Sequence, residues 1–319
     1  LLNFRELDYK NKVKLYLTLE FLSMKYLNAI LCISLLSVVV LSCKKDSVPE
    51  PIRDVQEQTL TDDEALVNYL QTHFYNYEDF ENDLGNYRIE IALDSINEDD
   101  DDKTALWDQV QTKTIFITDR ENNEIPTKIY YLEAKRGMGE NPTVVDSTFV
   151  TYKGYLLDGT VFDQRELPMW FNLATGVIRG FREFLPVLRS GDHTVNNDGT
   201  YEFDHYGQGV FFIPSILGYY ESNLSSIPSY SPLIFSVALH KVNPADHDND
   251  GILSRDEDPD GDGDPFNDDT DEDRNANFLD ADDDNDGTPT REEYDRDGDG
   301  NPDDDDNDGI PDYLDQDSN

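Results

Sequence analysis

The sequence predicts an α+β protein: an antiparallel sheet wrapped on one short helix, with a small N-terminal accessory region before it and an irregular acidic repeat tail after it. Three observations carry that prediction. Runs rich in β-branched and aromatic residues crowd together between residues 127 and 242, in the pattern of half-buried strands. One short helical run, residues 178–188, falls between the third and fourth of them. Beyond Asp246 the apolar residues thin out, and aspartates recur with glycine at a fixed spacing.

In chain order, residues 1–23 contain no methionine and precede a plausible start at Met24, so they read as an upstream extension outside the working protein. Residues 24–43 combine Lys25, a short apolar core and a small residue before the break, the marks of a secretory signal and not of a spanning helix. Its end, Val40-Leu41-Ser42-Cys43, resembles a bacterial lipobox, which implies lipidation at Cys43 and a lipid-anchored place in the bacterial cell envelope, at the outer membrane. Several acyl chains on one cysteine anchor stably where a single chain would not. The only other cysteine, Cys32, lies in the same stretch, so no disulfide framework is available to the rest of the chain. Residues 44–57, polar and containing Pro49 and Pro51, read as a tether.

The accessory region spans 58–123. Ala65, Leu66, Tyr69, Leu70 and Phe74 recur at three- and four-residue spacing behind an acidic start, which predicts an amphipathic helix over about 62–75. Alternation at 87–93 and 114–118 predicts two strands of this region, separated by a solvated acidic loop at 97–102. The main domain follows at 124–243, with strands expected at 127–135, 147–156, 169–173, 209–213 and 233–242. Pro186 falls inside the short helix and should bend or shorten it. Residues 192–206, built around Asn196-Asn-Asp-Gly199, predict an additional hairpin beside any pocket the sheet forms.

The formal charge is −44, and residues 246–319 hold 32 acidic residues against four arginines. A balance this negative repels phosphate backbones, so no nucleic-acid partner is expected, and it attracts divalent cations.

Four blocks inside the main domain, in order, resemble the FK506-binding-protein (FKBP) type of peptidyl-prolyl isomerase. They are Tyr152-Lys-Gly-Tyr-Leu-Leu-Asp-Gly-Thr-Val-Phe-Asp163, Val177-Ile-Arg-Gly-Phe181, Ile213-Pro-Ser-Ile-Leu-Gly-Tyr219 and Ile227-Pro-Ser-Tyr-Ser-Pro-Leu-Ile-Phe235. The resemblance implies a cup for a proline ring lined by Tyr152, Phe162, Asp163, Met169, Val177, Ile178, Phe181, Tyr219, Ile227 and Phe235, with no catalytic cofactor. It places Phe181 at the floor, where the family usually has tryptophan. It also implies two donors to the turning carbonyl, the Tyr219 hydroxyl and the Ile178 backbone N–H. On periodicity alone Phe162, Val177, Ile227 and Phe235 read as core. Met169 stands where the family has an aromatic wall, the loop 163–168 is shorter than in small family members, and Tyr220 takes a place usually held by glycine.

The tail, 244–319, repeats the calcium-loop pattern D-x-D-x-D-G followed by five residues and an acid. Asp246, Asp248, Asp250 and Glu257 form the first good copy, with Gly251 at the turn, and Asp282, Asp284, Asp286 and Glu293 the second. Looser copies begin at Asp260 (with Asp262), at Asp271, at Asp295 (with Asp297 and Asp299) and at Asp304 (with Asp306, Asp308 and Asp315). Flanking amphipathic helices are missing, so the array resembles thrombospondin type 3 repeats, which implies structural Ca²⁺. Without the ion, the same composition reads as a disordered acidic tail. Together these readings give an envelope-anchored peptidyl-prolyl isomerase acting on proline-containing extracytoplasmic polypeptides. The alternatives are an isomerase-like module that binds peptides without turnover, and a calcium-dependent surface scaffold or adhesion module.

Overall fold

Asp54 starts the first element. Its side chain accepts the Glu57 N–H (2.9 Å) and so caps helix α1, Val55–Thr72. This computed structural model describes residues 52–81, 89–100 and 102–318; the expected upstream extension, signal segment, Cys43 and most of the tether lie outside them. Helix α1 begins seven residues before the expected position and ends three before it, because Asp54 supplies a better cap than the acidic run at 62–64. The end of the expected tether is therefore helical. Among the described residues, no helix is long and apolar enough to cross a membrane.

After α1 come β1 (His73–Tyr75), α2 (Tyr77–Glu81) and β2 (Leu93–Ser95), with β1 and β2 paired antiparallel. The strand expected at 87–93 is thus largely replaced by a shorter one at its end; Tyr87 and Arg88 lie outside the described residues. β3 (Gln111–Thr118) covers the second expected strand, but it does not stay in an accessory region. It forms a hairpin with β4 (Glu124–Lys135) and becomes an edge of the main sheet, so the boundary expected between 123 and 124 falls within one hairpin.

The main sheet has six antiparallel strands in the order β3-β4-β9-β10-β5-β6, where β5 is Ser147–Leu156, β6 Val161–Asn172, β9 Gly207–Ile213 and β10 Leu233–Asn243. β10 reads as a nearly unbroken apolar run because both of its faces are covered. Leu233, Phe235, Val237 and Leu239 point to one core with Val150, Tyr152 and Phe211, under the short helix α3 (Arg179–Phe184). On the other face, Ile234 joins Tyr130, Leu132, Val210 and Phe212 against Leu66, Tyr69 and Leu70 of α1. Burial of these side chains stabilises each by about 1.5–3 kcal/mol before chain entropy is counted.

Pro186 acts as expected: α3 stops at Phe184 and one 3₁₀ turn, Leu185–Val187, carries the chain past it. The insert at 192–206 is the hairpin β7 (Asp192–Val195) and β8 (Tyr201–Asp204), turned at Gly199 with φ 84°. It does not lie beside the cup. Phe203 packs 5.5 Å from the Phe149 ring and 5.6 Å from the His240 ring, and Phe149 alternates with Val150 and Tyr152, so the hairpin covers the opposite face of the sheet.

Candidate active site

Tyr152 on β5, Phe162, Asp163 and Phe171 on β6, Val177 and Ile178 before α3, Phe181 on α3, Tyr219 just after the 3₁₀ turn Ser215–Leu217, and Phe235 on β10 line one cavity of about 360 Å³, with Thr175 and Gly176 at its side. The floor is Phe181, 4% exposed, whose ring meets Phe235 (5.4 Å), Phe211 (5.5 Å), Phe171 (5.8 Å) and Tyr152 (5.9 Å), all close to edge-on. Edge-to-face packing on several sides holds the floor ring in one orientation. Phe162 stands edge-on to Phe235 at 5.4 Å and forms a wall. It can approach because residue 154 is glycine: a Cβ there would lie 2.5 Å from the Phe162 ring.

The polar side of the cup is small. The Tyr152 hydroxyl donates to Asp163 Oδ2 at 2.5 Å, the Gln164 N–H donates to Oδ1 at 2.8 Å, and Arg165 pairs with the same carboxylate at 3.9 Å. Burial, and then the Asp163 carboxylate, hold the Tyr152 phenol well above its ordinary range, so it stays a proton donor at any physiological pH. Tyr219 is shifted upward by the same two causes in the same order. Ile178, with φ −68° and ψ 153°, is the extended N-cap residue of α3, so its peptide stands at the entrance of the cup. Asp62 of α1 ties this wall to the other layer. Its buried carboxylate accepts the Ser215 N–H (2.7 Å), the Ser215 hydroxyl (2.6 Å) and Gln58 Nε2 (2.7 Å), four residues before Tyr219.

Of the ten residues expected to line the cup, the structure brings together eight. The exceptions are Met169 and Ile227. Met169 pairs with Val150 farther along β6, and Phe171 takes the wall, so an aromatic is present after all, two residues later. The register shift between Arg165 and Met169 causes this displacement, and the stretch expected as a short loop is an exposed irregularity within β6. Ile227 is 4% exposed and packs in the core beneath the 220–230 loop.

The acidic tail folds into six loops of one backbone design. They start at Asp246, Asp258, Asp269, Asp282, Asp295 and Asp304, and in each the third residue's carboxylate accepts the fifth residue's N–H and the fifth residue's carboxylate accepts the seventh's. The fourth and sixth residues have positive φ throughout, from Asn249 (65°) and Gly251 (106°) to Asn307 (62°) and Gly309 (97°). Two copies therefore begin two residues earlier than the sequence predicts, at Asp258 and Asp269 in place of Asp260 and Asp271. Asp246, Asp248 and Asp250 cluster, as do Asp258, Asp260 and Asp262, Asp269, Asp271 and Asp273, and Asp282, Asp284 and Asp286. Asp315 instead accepts the Asp317 N–H at 3.0 Å.

Closing acids are buried. Glu257 and Glu293 are each 1% exposed, and neither carboxylate has a hydrogen-bond partner. Burial, and then Asp248, Asp250 and Asp283, push Glu257 up to about 10. Asp283, 2% exposed and also without a partner for its carboxylate, is pushed up to about 8 by burial and then by Asp250 and Asp248. A residue of the fourth loop thus feels the charges of the first. Sequence spacing gave no signal for it, since Asp283 sits between two aspartates assigned to their own loop. Bare carboxylates this deeply buried are what a divalent cation with six to eight oxygen ligands would satisfy, so the donor set fits calcium.

A six-stranded antiparallel sheet wrapped on one short helix, with an aromatic cup between them, defines an FKBP-like domain. Residues 139–240 match the family described as FKBP-type peptidyl-prolyl cis-trans isomerase, and this segment is a domain of that family. The chain is 34% identical over 122 residues to the FKBP-type peptidyl-prolyl cis-trans isomerase FkpA of Escherichia coli strain K12, covering 37% of this chain and 39% of that one. It is 34% identical over 121 residues to the macrophage infectivity potentiator of Trypanosoma cruzi, covering 36% of this chain and 54% of that protein. A solved peptidyl-prolyl cis-trans isomerase from Pseudomonas syringae is similar over 40% of this chain and 80% of its own, at 26% identity and a TM-score of 0.30. The chain therefore spans well under two thirds of the length of the curated relatives it matches.

Proposed function

We propose that this protein catalyses cis–trans isomerisation of X–Pro bonds in extracytoplasmic polypeptides, held at the bacterial envelope by lipid on Cys43. The observation that carries the reading is the cup: a dry aromatic floor with two hydroxyls and a helix-entry peptide on one side. Rotation about X–Pro faces about 18–20 kcal/mol, because the amide gives up its resonance as it twists. No nucleophile and no metal are required. A site accelerates the step by binding the twisted amide more tightly than either planar form.

Phe181, Phe235 and Phe162 receive the proline ring and exclude water from the amide nitrogen. The Tyr219 hydroxyl and the Ile178 N–H donate to the carbonyl in the orientation it reaches as the bond turns, in surroundings that strengthen each hydrogen bond. Asp163, fixed by Tyr152, contributes a directed negative field. The six aspartate loops are proposed to hold Ca²⁺ as structural ions, with Asp246, Asp248, Asp250 and Glu257 as the best-formed set, and to serve as a rigid stalk.

Line-shape measurement of cis–trans exchange in Leu-Pro and Phe-Pro peptides tests the catalytic reading. The purified protein in calcium should accelerate exchange, and Phe235→Ala and Tyr219→Phe should each lower the rate while the fold persists. A folded protein that leaves exchange at its uncatalysed rate would replace catalysis with peptide binding alone.

A further inference from the structure

The second aspartate loop departs from a rule that the other five keep. In those five, the N–H of the second loop residue donates to the side chain of the ninth: His247 to Ser254, Thr270 to Asn277, Asp283 to Thr290, Arg296 to Asp303 and Asp305 to Asp312, at 2.6–3.1 Å. In the second loop these positions are Pro259, which has no N–H, and Phe266, which has no acceptor. Both halves of the hydrogen bond are missing together. The half-buried Phe266 ring instead lies under the Arg182 guanidinium of α3, 4.1 Å from its centroid.

Phe266 belongs to a small cluster drawn from three loops. Its ring meets Phe278 edge-on at 5.0 Å, Phe278 is fully buried, and Phe278 in turn meets the His247 ring at 5.4 Å. His247 Nε2 accepts from Asn172 Nδ2 at 2.8 Å, at the end of β6. The cluster thus touches the isomerase domain at two residues, Asn172 and Arg182. Both support the cup. Asn172 Oδ1 accepts the N–H groups of Ala174 (2.9 Å) and Thr175 (3.2 Å), and its carbonyl accepts the Gly176 N–H (2.9 Å), which shapes the wall at Thr175 and Gly176. Arg182 is the neighbour of Phe181, the floor.

We propose that Asn172 and Arg182 are positioning residues through which metal occupancy of the aspartate loops sets the wall and floor of the proline cup. The inference rests on the calcium reading of those loops. What ties occupancy to the contact is the first loop's ligand set. Glu257 closes it from the boundary with the second loop, and the Asp283 carboxylate of the fourth loop lies close enough to Asp248, Asp250 and Glu257 to feel their charge, each of Glu257 and Asp283 being buried with no hydrogen-bond partner for its carboxylate. A cation there draws together the loops that flank His247, Phe266 and Phe278. Without it, like charges push those loops apart and the cluster loses its frame. Coupling of this kind is reciprocal, so proline-peptide binding must tighten calcium binding by the factor that calcium tightens the cup.

The test uses the full chain and three readouts: calorimetry of Ca²⁺ with and without saturating Leu-Pro peptide, amide exchange at residues 174–176, and kcat/KM with calcium or chelator. Calcium should slow exchange at 174–176, raise kcat/KM, and tighten Leu-Pro peptide binding by about fivefold or more, near the lower end of usual coupling, and the peptide should raise calcium affinity by the same factor as calcium raises peptide affinity. In Phe266→Ala the calcium stoichiometry should persist while both factors fall toward one. Arg182→Lys keeps the charge and removes the planar stacking, and should lose the coupling in the same way, which guards against a folding defect in the first variant. Calcium that binds but leaves exchange at 174–176 and kcat/KM unchanged overturns the coupling alone. Calorimetry that detects no calcium binding overturns the calcium reading and the coupling with it.

Discussion

Gly154→Ala tests the cup through a single methyl group. The added Cβ would lie 2.5 and 2.7 Å from two carbons of the Phe162 ring and 3.1 Å from Phe235. Ordinary carbon contacts are about 3.5–4.0 Å, so the wall must give by about 1 Å. Phe235 is 4% exposed and stacked on Phe211 at 5.1 Å, whereas Phe162 is only partly buried, so Phe162 is the ring that moves. Overpacking of this degree costs about 1–3 kcal/mol. In a domain of this size that corresponds to a Tm lower by roughly 2–12 °C. Because a misplacement of about 1 Å at a binding surface can cost up to 10²-fold in rate, kcat/KM for a Phe-Pro peptide should fall by more than the stability loss explains. Calorimetry and line-shape kinetics on the same preparation read both numbers. A Gly154→Ala protein with native Tm and native kcat/KM would show that Phe162 is not a wall of the productive site.

Three further outcomes are expected. Tyr152→Phe removes the donor to the partly exposed Asp163 carboxylate, which should lower stability by about 1 kcal/mol and reduce kcat/KM, read by denaturant melts and exchange kinetics; unaltered kinetics would remove Asp163 orientation from the mechanism. Glu257→Gln replaces the buried closing acid of the first loop, and if that loop holds Ca²⁺ as proposed, calorimetry should show its site weakened at least tenfold with the other loops retained. In chelator, the loops should lose order as pH rises. Glu257 and Asp283 sit at about 10 and about 8 in the folded state against 4.5 and 3.8 for free side chains, so the folded state keeps protons that the unfolded chain has released. Their contribution is whole below about pH 4 and is lost on the way up to those values. Proteolysis of the tail in chelator should therefore be faster at pH 8 than at pH 5, and equal rates would contradict the burial of these acids.

Much of the cup was legible because its residues sit in short blocks where identity and spacing coincide: Tyr152 to Asp163, Val177 to Phe181 and Phe235. Phe171 was missed and Met169 wrongly included for one reason. A register shift inside β6 moves the facing residue by two, and such shifts depend on cross-strand pairing, not on local sequence. The hairpin at 192–206 was found from its turn, yet its side of the sheet was not, since that is decided by Phe203 meeting Phe149 and His240 from other strands. The role of α1 was hidden for a related reason. Its apolar spacing showed that it must cover something, but Asp62 looked like one more acidic residue near a helix start until Ser215 was found beside it.

In the tail, glycine was a misleading marker of register. The backbone requires left-handed residues at the fourth and sixth positions, and the third loop fills them with Glu272 (φ 62°) and Arg274 (φ 81°), while the second has glycine at both. Searching for a single glycine therefore slipped those two loops by two residues. What makes such a strained backbone worth adopting is charge. Three ligand atoms of Asp246, Asp248 and Asp250 lie within 4.8 Å of one another. At an effective dielectric near 20, each such ionised pair repels by about 3–4 kcal/mol before salt and solvent screening, so one loop carries on the order of 10 kcal/mol of repulsion. That is comparable to the whole stability of an ordinary domain, about 5–15 kcal/mol. The loops cannot then be folded, fully ionised and free of cations at once. Protons or metal must offset that repulsion, and if the loops hold Ca²⁺ as proposed, the metal would keep Phe266 and His247 in place against the isomerase domain.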